Sequence, residues 1–297
     1  MPILLLLLVA LVAGLLIGLA FDRLAPNRGA TAAAADVVET VAESSALRGW
    51  LRARTDPAVT TGLALTAAVA LMIGGGFTVG LLALLVRGNA TVASVDSSVA
   101  EWGNAHATHL STRALYWVTD LGDWPIVLLV GVAVLLYEWR RAPSRYLFPF
   151  LLLVSGGDTG ITNAIKALVD RARPTLNPIA ETLGPSFPSG HSSTAASFYA
   201  ALALILARRR GARVRALLAG SAGAIAVGVA SSRVLLDVHW LSDVIAGVML
   251  GWAWFALCAV AFGGRRLAFA EPLEEAASKT PAPPQSGRSP GRPAAKV

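Results

Sequence analysis

Residues 147–174 read LFPFLLLVSGGDTGITNAIKALVDRARP, an apolar run that closes on three cations and a proline. The part from 147 to 165 is long enough to be considered a membrane span, because a helix needs about 20 residues to cross the hydrocarbon core. Lipid offers no partner to an open strand edge, so the run is expected to be a helix. Six further apolar stretches follow the same logic, at 3–21, 62–86, 122–138, 191–207, 214–231 and 240–262. The stretch at 191–207 is the weakest, being short and beginning with Ser and Thr. The predicted fold class is therefore all-α, a polytopic membrane helix bundle. It divides into an N-terminal transmembrane helix with a cytoplasmic linker over 1–61, a six-helix membrane domain over 62–264, and a disordered cytoplasmic tail over 265–297.

Composition supports this reading. Only 14% of the 297 residues are charged and 55% are hydrophobic, whereas soluble domains carry about 25% charged residues. Mean hydropathy is +0.61. The net charge of +7 sits in short clusters between apolar runs, the pattern of segments held at a membrane face, so nucleic acid is not expected as a partner. The single cysteine, Cys258, lies among apolar neighbours and reads as a buried thiol. Small residues in 220-GSAGAIAVGVA-230 would let helices approach closely. The opening run MPILLLLLVALVAGLLIGLA lacks a basic leader and a small-x-small cleavage site, so an uncleaved helix is expected there.

Basic residues set the expected orientation. Arg48, Arg52 and Arg54; Arg140, Arg141 and Arg145; Arg208, Arg209, Arg210, Arg213 and Arg215; and Arg265 and Arg266 all fall on one side if every span crosses. That side should be cytoplasmic. The connections at 87–121, 166–190 and 232–239 then face outward, and three of the features that carry chemistry lie on that face.

Lys166 and Arg173 are seven residues apart, about two helical turns, and would share a face if the helix continued to Pro174. Paired cations suit an anion, although snorkelling at a helix end would also place them there. Residues 186–194 read SFPSGHSST: Ser189 is a candidate N-cap and Gly190 permits close backbone approach, so free amides would gather beside His191 at a helix start, a place that binds anions. In 232-SRVLLDVHWLSD-243, His239 and Asp243 are four apart, which on a helix lets the carboxylate fix the imidazole tautomer, and Arg233 adds a cation. Each feature alone has a bland structural reading. Their coincidence on one face does not.

Together these pieces, Lys166-x6-Arg173-Pro174, Pro188-Ser189-Gly190-His191 and Ser232-Arg233-x5-His239-x3-Asp243, resemble the signature of the phosphatidic acid phosphatase type 2 superfamily, with every position filled. The resemblance covers 166–243, with flanking helices that fit a six-helix core. It implies a lipid phosphate or pyrophosphate phosphatase at the outer face of the cytoplasmic membrane, working through a phosphohistidine. By the same resemblance His239 is the nucleophile, Asp243 its orienting partner and His191 the general acid. Lys166, Arg173 and Arg233, with Ser189 and the Gly190 amide, would hold the phosphate oxygens. It implies no cofactor and no metal, and a lipid phosphate in the bilayer as the partner, with undecaprenyl pyrophosphate ranked ahead of phosphatidylglycerol phosphate, phosphatidate and other polyprenyl phosphates.

Phosphoryl transfer to a lipid or sugar acceptor, and noncatalytic lipid-phosphate binding or transport, are the alternatives. Outside the signature, Asp158 is expected to pack helices, Asp170 and Arg171 to be solvated or paired surface charges, and Asp237 to face loop water. Trp102, Trp117 and Trp124 fit an interfacial aromatic belt, and His106 and His109 an outer loop or short helix.

Overall fold

The structure is a computed structural model that describes residues 60–174, 184–208 and 210–262. Among these residues the only regular elements are helices: α1 (Thr60–Leu85), α2 (Ala90–Ala105), α3 (His109–Thr119), a short 3-10 turn (Asp120–Gly122), α4 (Trp124–Arg141), α5 (Leu147–Val169), α6 (Gly190–Leu206), α7 (Ala212–Leu235) and α8 (Leu241–Ala261). The expected N-terminal span at 3–21, the linker and the tail from 265 lie outside the described residues.

Local chemistry sets the helix starts. Asn89 accepts a hydrogen bond from the Val92 amide at 3.0 Å to begin α2, and Thr108 with Ser111 forms a capping box for α3. Pro125 sits in the first turn of α4, where no intrahelical N–H is needed. The connection expected at 87–121 is thus largely helical, formed by α2 and α3. Trp102 and Trp117 on these helices, and Trp124 at the start of α4, are exposed.

The weakest expected span is the structural centre. α6 packs against α8, α7, α5 and α4, and its Ala195, Phe198, Ala201 and Ile205 are almost fully buried. A helix surrounded by other helices needs no continuous apolar surface for lipid, which is why 17 residues rich in Ser and Ala suffice. Length and apolarity alone single out 67–85, α7 and α8 as spans, with α3 and α4 as a fourth if that pair, bent by 55°, crosses once. Six had been expected over the described residues. α6 is too short to pass, and α5 is diluted by Asp158, Thr159, Thr162 and Asn163. The outer helices do present apolar faces: Ile73, Phe77 and Leu84 on α1 and Leu128 and Leu129 on α4 are exposed.

Buried polar groups tie the centre together. Asp158 of α5 accepts from Ser193 Oγ at 2.5 Å and Thr194 Oγ1 at 3.2 Å, both on α6, the packing role expected of it. Cys258 is buried in the core with Phe150 and Phe198. The glycine- and alanine-rich run 220–230 is largely buried too, but the tightest helix approach lies elsewhere. A Cβ at Gly247 of α8 would stand 2.5 Å from the Ser189 carbonyl oxygen and 3.0 Å from Ser192 Cβ, and one at Gly251 would collide with the Ser193 carbonyl oxygen.

Because those obstacles are backbone, Gly247→Ala should lower stability by about 1–3 kcal/mol, the cost of overpacking. Gly74→Ala on α1, where nothing lies within 4 Å, should leave stability unchanged or slightly raised. Thermal unfolding of the two variants in detergent distinguishes them, and equal melting temperatures would show that the α6–α8 contact is not tight.

Candidate active site

α5 carries Lys166 in its last turn and then stops, because Asp170 adopts a left-handed conformation with φ 46°. Arg173 therefore does not share a helical face with Lys166; it reaches the same place from a non-helical segment. Its Nε donates to Gly184 O at 3.0 Å and one terminal nitrogen donates to Val238 O at 2.8 Å, so Arg173 bridges the chain before α6 and the chain before α8. Lys166 Nζ donates to Pro185 O at 2.6 Å.

Ser189 is the N-cap of α6 and places His191 in the first turn, as the sequence predicts. The capping hydroxyl is fully buried: Ser189 Oγ accepts from the Ser192 amide at 3.4 Å and from Ser192 Oγ at 2.9 Å, and the Ser189 amide donates to Asp243 O at 3.0 Å. Ser189 thus supports the helix start from beneath, while Gly190 and His191 line the open space above it.

His239 lies in the loop between α7 and α8, two residues before α8 begins. The expected helical i to i+4 pairing with Asp243 is replaced by a reach-back across the helix start. Asp243 Oδ2 accepts from the Trp240 amide at 3.0 Å and from Ser186 Oγ, and stands 3.5 Å from His239 Nδ1. On the other side of the ring, an Arg173 terminal nitrogen is 3.1 Å from His239 Nε2. A guanidinium can only donate, so Nε2 must hold its lone pair toward Arg173 and the ring proton belongs on Nδ1, facing the carboxylate.

These pieces line one cavity of about 640 Å³, bordered by Asn163, Lys166, Arg173, Gly190, His191, Arg233 and His239, together with Ala167, Gly184 and Pro185. Its wall carries three cations and, among the described residues, no carboxylate. Arg233 donates to Thr119 Oγ1 at 3.1 Å, and its buried Nε has no protein partner. Like charges this close repel unless an anion lies between them. Burial pushes the His239 imidazole down to about 3, with Arg173 and Arg233 acting in the same direction against Asp243. The ring is therefore neutral at physiological pH. Among the described residues no group of three or more His, Cys, Asp and Glu side chains is placed to hold a metal ion.

Several participants were not foreseen. Asp123, just before α4, stands 2.5 Å from His191 Nε2. Asn163, one turn before Lys166, and Ser186 also reach the site. Asp123 had only the look of a polar residue ahead of an apolar run, and no local spacing relates it to a histidine 68 positions away. Asp237, expected to face water, is instead 4% exposed, in the turn out of α7 with φ 58°. His106 stacks on Trp102 at 4.8 Å and takes no part in the cavity.

Comparison with known proteins follows the same outline. A family model described as the PAP2 superfamily matches residues 146–267. Phosphatidylglycerophosphatase B of Bacillus subtilis is 31% identical over 183 residues, covering 60% of this chain and 87% of that protein. Decaprenylphosphoryl-5-phosphoribose phosphatase of Mycobacterium tuberculosis is 33% identical over 153 residues, covering 49% and 75%. Lipid A 1-phosphatase of Rhizobium johnstonii is 36% identical over 124 residues, 38% of this chain and 45% of that one. The crystal structure of a transmembrane PAP2 type phosphatidylglycerolphosphate phosphatase from Bacillus subtilis superposes with a TM-score of 0.62 at 27% identity, covering 66% of this chain and 97% of that one.

A buried neutral His239 makes stability depend on pH with a definite sign. As pH falls below about 6.5, the unfolded histidine takes up a proton while the folded one does not until about 3. The stability it contributes is therefore complete above pH 6.5 and lost progressively toward pH 3. Between pH 6 and pH 5 the unfolding free energy of His239→Gln should fall less steeply than that of the unmodified protein, by about 1.2 kcal/mol over that unit. Equal slopes would mean that His239 is not held neutral.

Proposed function

We propose, because this chain belongs to the PAP2 superfamily and is a lipid phosphatase of that group, that it removes a phosphoryl group from a phosphate or pyrophosphate carried on a long apolar tail, through a phosphohistidine. The observation that carries this reading is the convergence of His191, His239, Lys166, Arg173 and Arg233 on one cavity. In the proposed reaction the cations and the amides at the start of α6 hold the phosphoryl oxygens, and His239 attacks phosphorus through the Nε2 lone pair. Asp243 receives the Nδ1 proton's hydrogen bond and stabilises the imidazolium that forms. His191, its ring fixed by Asp123, protonates the departing lipid oxygen. Water then hydrolyses the phosphohistidine. Lys166, Arg173 and Arg233 supply the charge stabilisation on which in-line phosphoryl transfer depends.

The site lies at the N-terminal ends of α4 and α6, and the basic groups lie at the other ends. There Arg208 donates to Ala142 O at 3.2 Å and Arg210 to Tyr137 Oη at 3.1 Å. With the basic end cytoplasmic, the cavity faces outward from the cytoplasmic membrane and the C-terminus lies inside. Phosphatidylglycerol phosphate joins undecaprenyl pyrophosphate at the head of the substrate ranking, because the Bacillus relative that this chain spans almost fully is named for the former.

The test is phosphate release by purified protein in detergent from phosphatidylglycerol phosphate, undecaprenyl pyrophosphate, phosphatidate and other polyprenyl phosphates, with EDTA present. Turnover should persist with chelator, fall on the order of 10³-fold or more in His239→Ala, and fall by about 10²–10⁴-fold in His191→Ala. Full activity in His239→Ala would remove the nucleophile. Phosphorylated acceptor in place of free phosphate would convert the reading to a transferase. Separately, a reporter fused after Arg210 should behave as cytoplasmic, and a periplasmic signal would invert the orientation.

A further inference from the structure

Arg171 stands between the two cations of the first motif but turns away from the cavity they line. One terminal nitrogen donates to Asp243 Oδ1 at 2.6 Å and to Ser242 Oγ at 2.7 Å; the other donates to Asp96 Oδ2 at 2.7 Å. Its side chain is 13% exposed, so it is neither solvated nor an ordinary surface pair. Asp96 comes from α2, outside the region matched by the family model. It is itself buried, and it also accepts from the Ser242 amide at 2.9 Å and Ser242 Oγ at 2.6 Å. The Trp240 ring covers the guanidinium, 5.4 Å from its carbon, and is held by its own Nε1 donating to Ala172 O at 2.9 Å.

The geometry points to Arg171 and Asp96 as positioning residues that act on His239 through Asp243, an inference that rests on the proposed roles of those two groups. Asp243 is wholly buried, and a buried carboxylate without a cation is costly. Its two oxygens have divided duties: Oδ1 meets Arg171, which leaves Oδ2 for Trp240, Ser186 and His239. Asp96 grips the other arm of the fork and so fixes the plane of the guanidinium, a two-carboxylate geometry that a lysine ammonium does not reproduce. The clamp thereby makes α2 part of the machinery that aims the nucleophile. It touches neither the cavity nor, on this account, the substrate.

A positioning role has a kinetic signature. With phosphatidylglycerol phosphate as probe and the full chain in detergent, Arg171→Ala should lower kcat by about 100-fold while KM stays within about threefold, since the phosphate cradle is untouched. Arg171→Lys should recover about tenfold of that loss. Asp96→Asn should lower kcat by about tenfold. The double variant Asp96→Asn with Arg171→Ala should be no worse than Arg171→Ala alone within about threefold, because asparagine keeps an oxygen for the Ser242 amide and the lost charge is felt through Arg171. The inference is overturned by kcat within twofold of the unmodified protein in Arg171→Ala, by a rise in KM at unchanged kcat, or by losses that multiply in the double variant. Should Arg171→Ala not fold, Asp96→Asn decides alone: kcat within twofold overturns the clamp, and a tenfold loss at unchanged KM and melting temperature supports it. His239→Ala is run alongside. If it stays active, or if the unmodified protein turns over no lipid of the panel, the underlying phosphatase mechanism fails; if it is dead while Arg171→Ala is unimpaired, only the clamp does.

Discussion

The close approach of α6 and α8 is the constraint on which the rest of the structure depends. Gly247 and Gly251 present no Cβ, so α8 lies directly against the Ser189 and Ser193 carbonyls of α6. At that separation the Ser189 amide can donate to the Asp243 carbonyl at 3.0 Å, which locks the first turn of one helix to the first turn of the other. His191 and His239 are carried by those two helix starts, and they share a cavity because the helices touch. In a membrane, where apolar side chains gain nothing by leaving lipid for one another, such close van der Waals contact is a main source of helix association.

A second consequence of this packing is electrostatic. Three cations face one cavity, and carboxylates meet the groups around it without lining it: Asp243 beside His239, Asp96 on Arg171 and Asp123 against His191. The cavity wall is therefore strongly positive while its support is negative. That arrangement suits a ligand whose charge is greatest at the moment of phosphoryl transfer, because fixed charges need no reorganisation when the reaction occurs. The same burial keeps His239 neutral and its Nε2 lone pair available. Arg173, hydrogen-bonded to that nitrogen, would turn toward phosphoryl oxygens under the proposed mechanism and so free the nucleophile as it binds the substrate.

The position of the cavity fits a substrate with a charged head and a long tail. The α1 and α4 surfaces present Phe77, Leu84, Leu128 and Leu129 outward, while the catalytic candidates gather at one end of the bundle. α5 makes the transition within a single helix, from Phe148 and Leu152 on its exposed side to Asn163 and Lys166 at the cavity. An anionic headgroup could reach the cations there without its tail leaving an apolar surface.

What the sequence by itself determined was the class of molecule and a set of residues that the fold gathers at one cavity. Apolar runs of about 20 residues have one physical solution in lipid, and Lys166, Arg173, Arg233, His191, His239 and Asp243 stand at separations that are properties of the chain. Even so, two of those pairs come together for reasons other than helical phase: α5 ends at Val169 before Arg173, and His239 precedes α8, so each pair meets across a turn. Tertiary structure alone decided that α6 is central, that Ser189 lies under the cavity, that Asp237 is buried, and that Asp123 meets His191 and Asp96 meets Arg171. The last two contacts join residues 68 and 75 positions apart. No periodicity links positions so distant, because such partners are chosen by which helix faces pack together and not by the rise of any one helix.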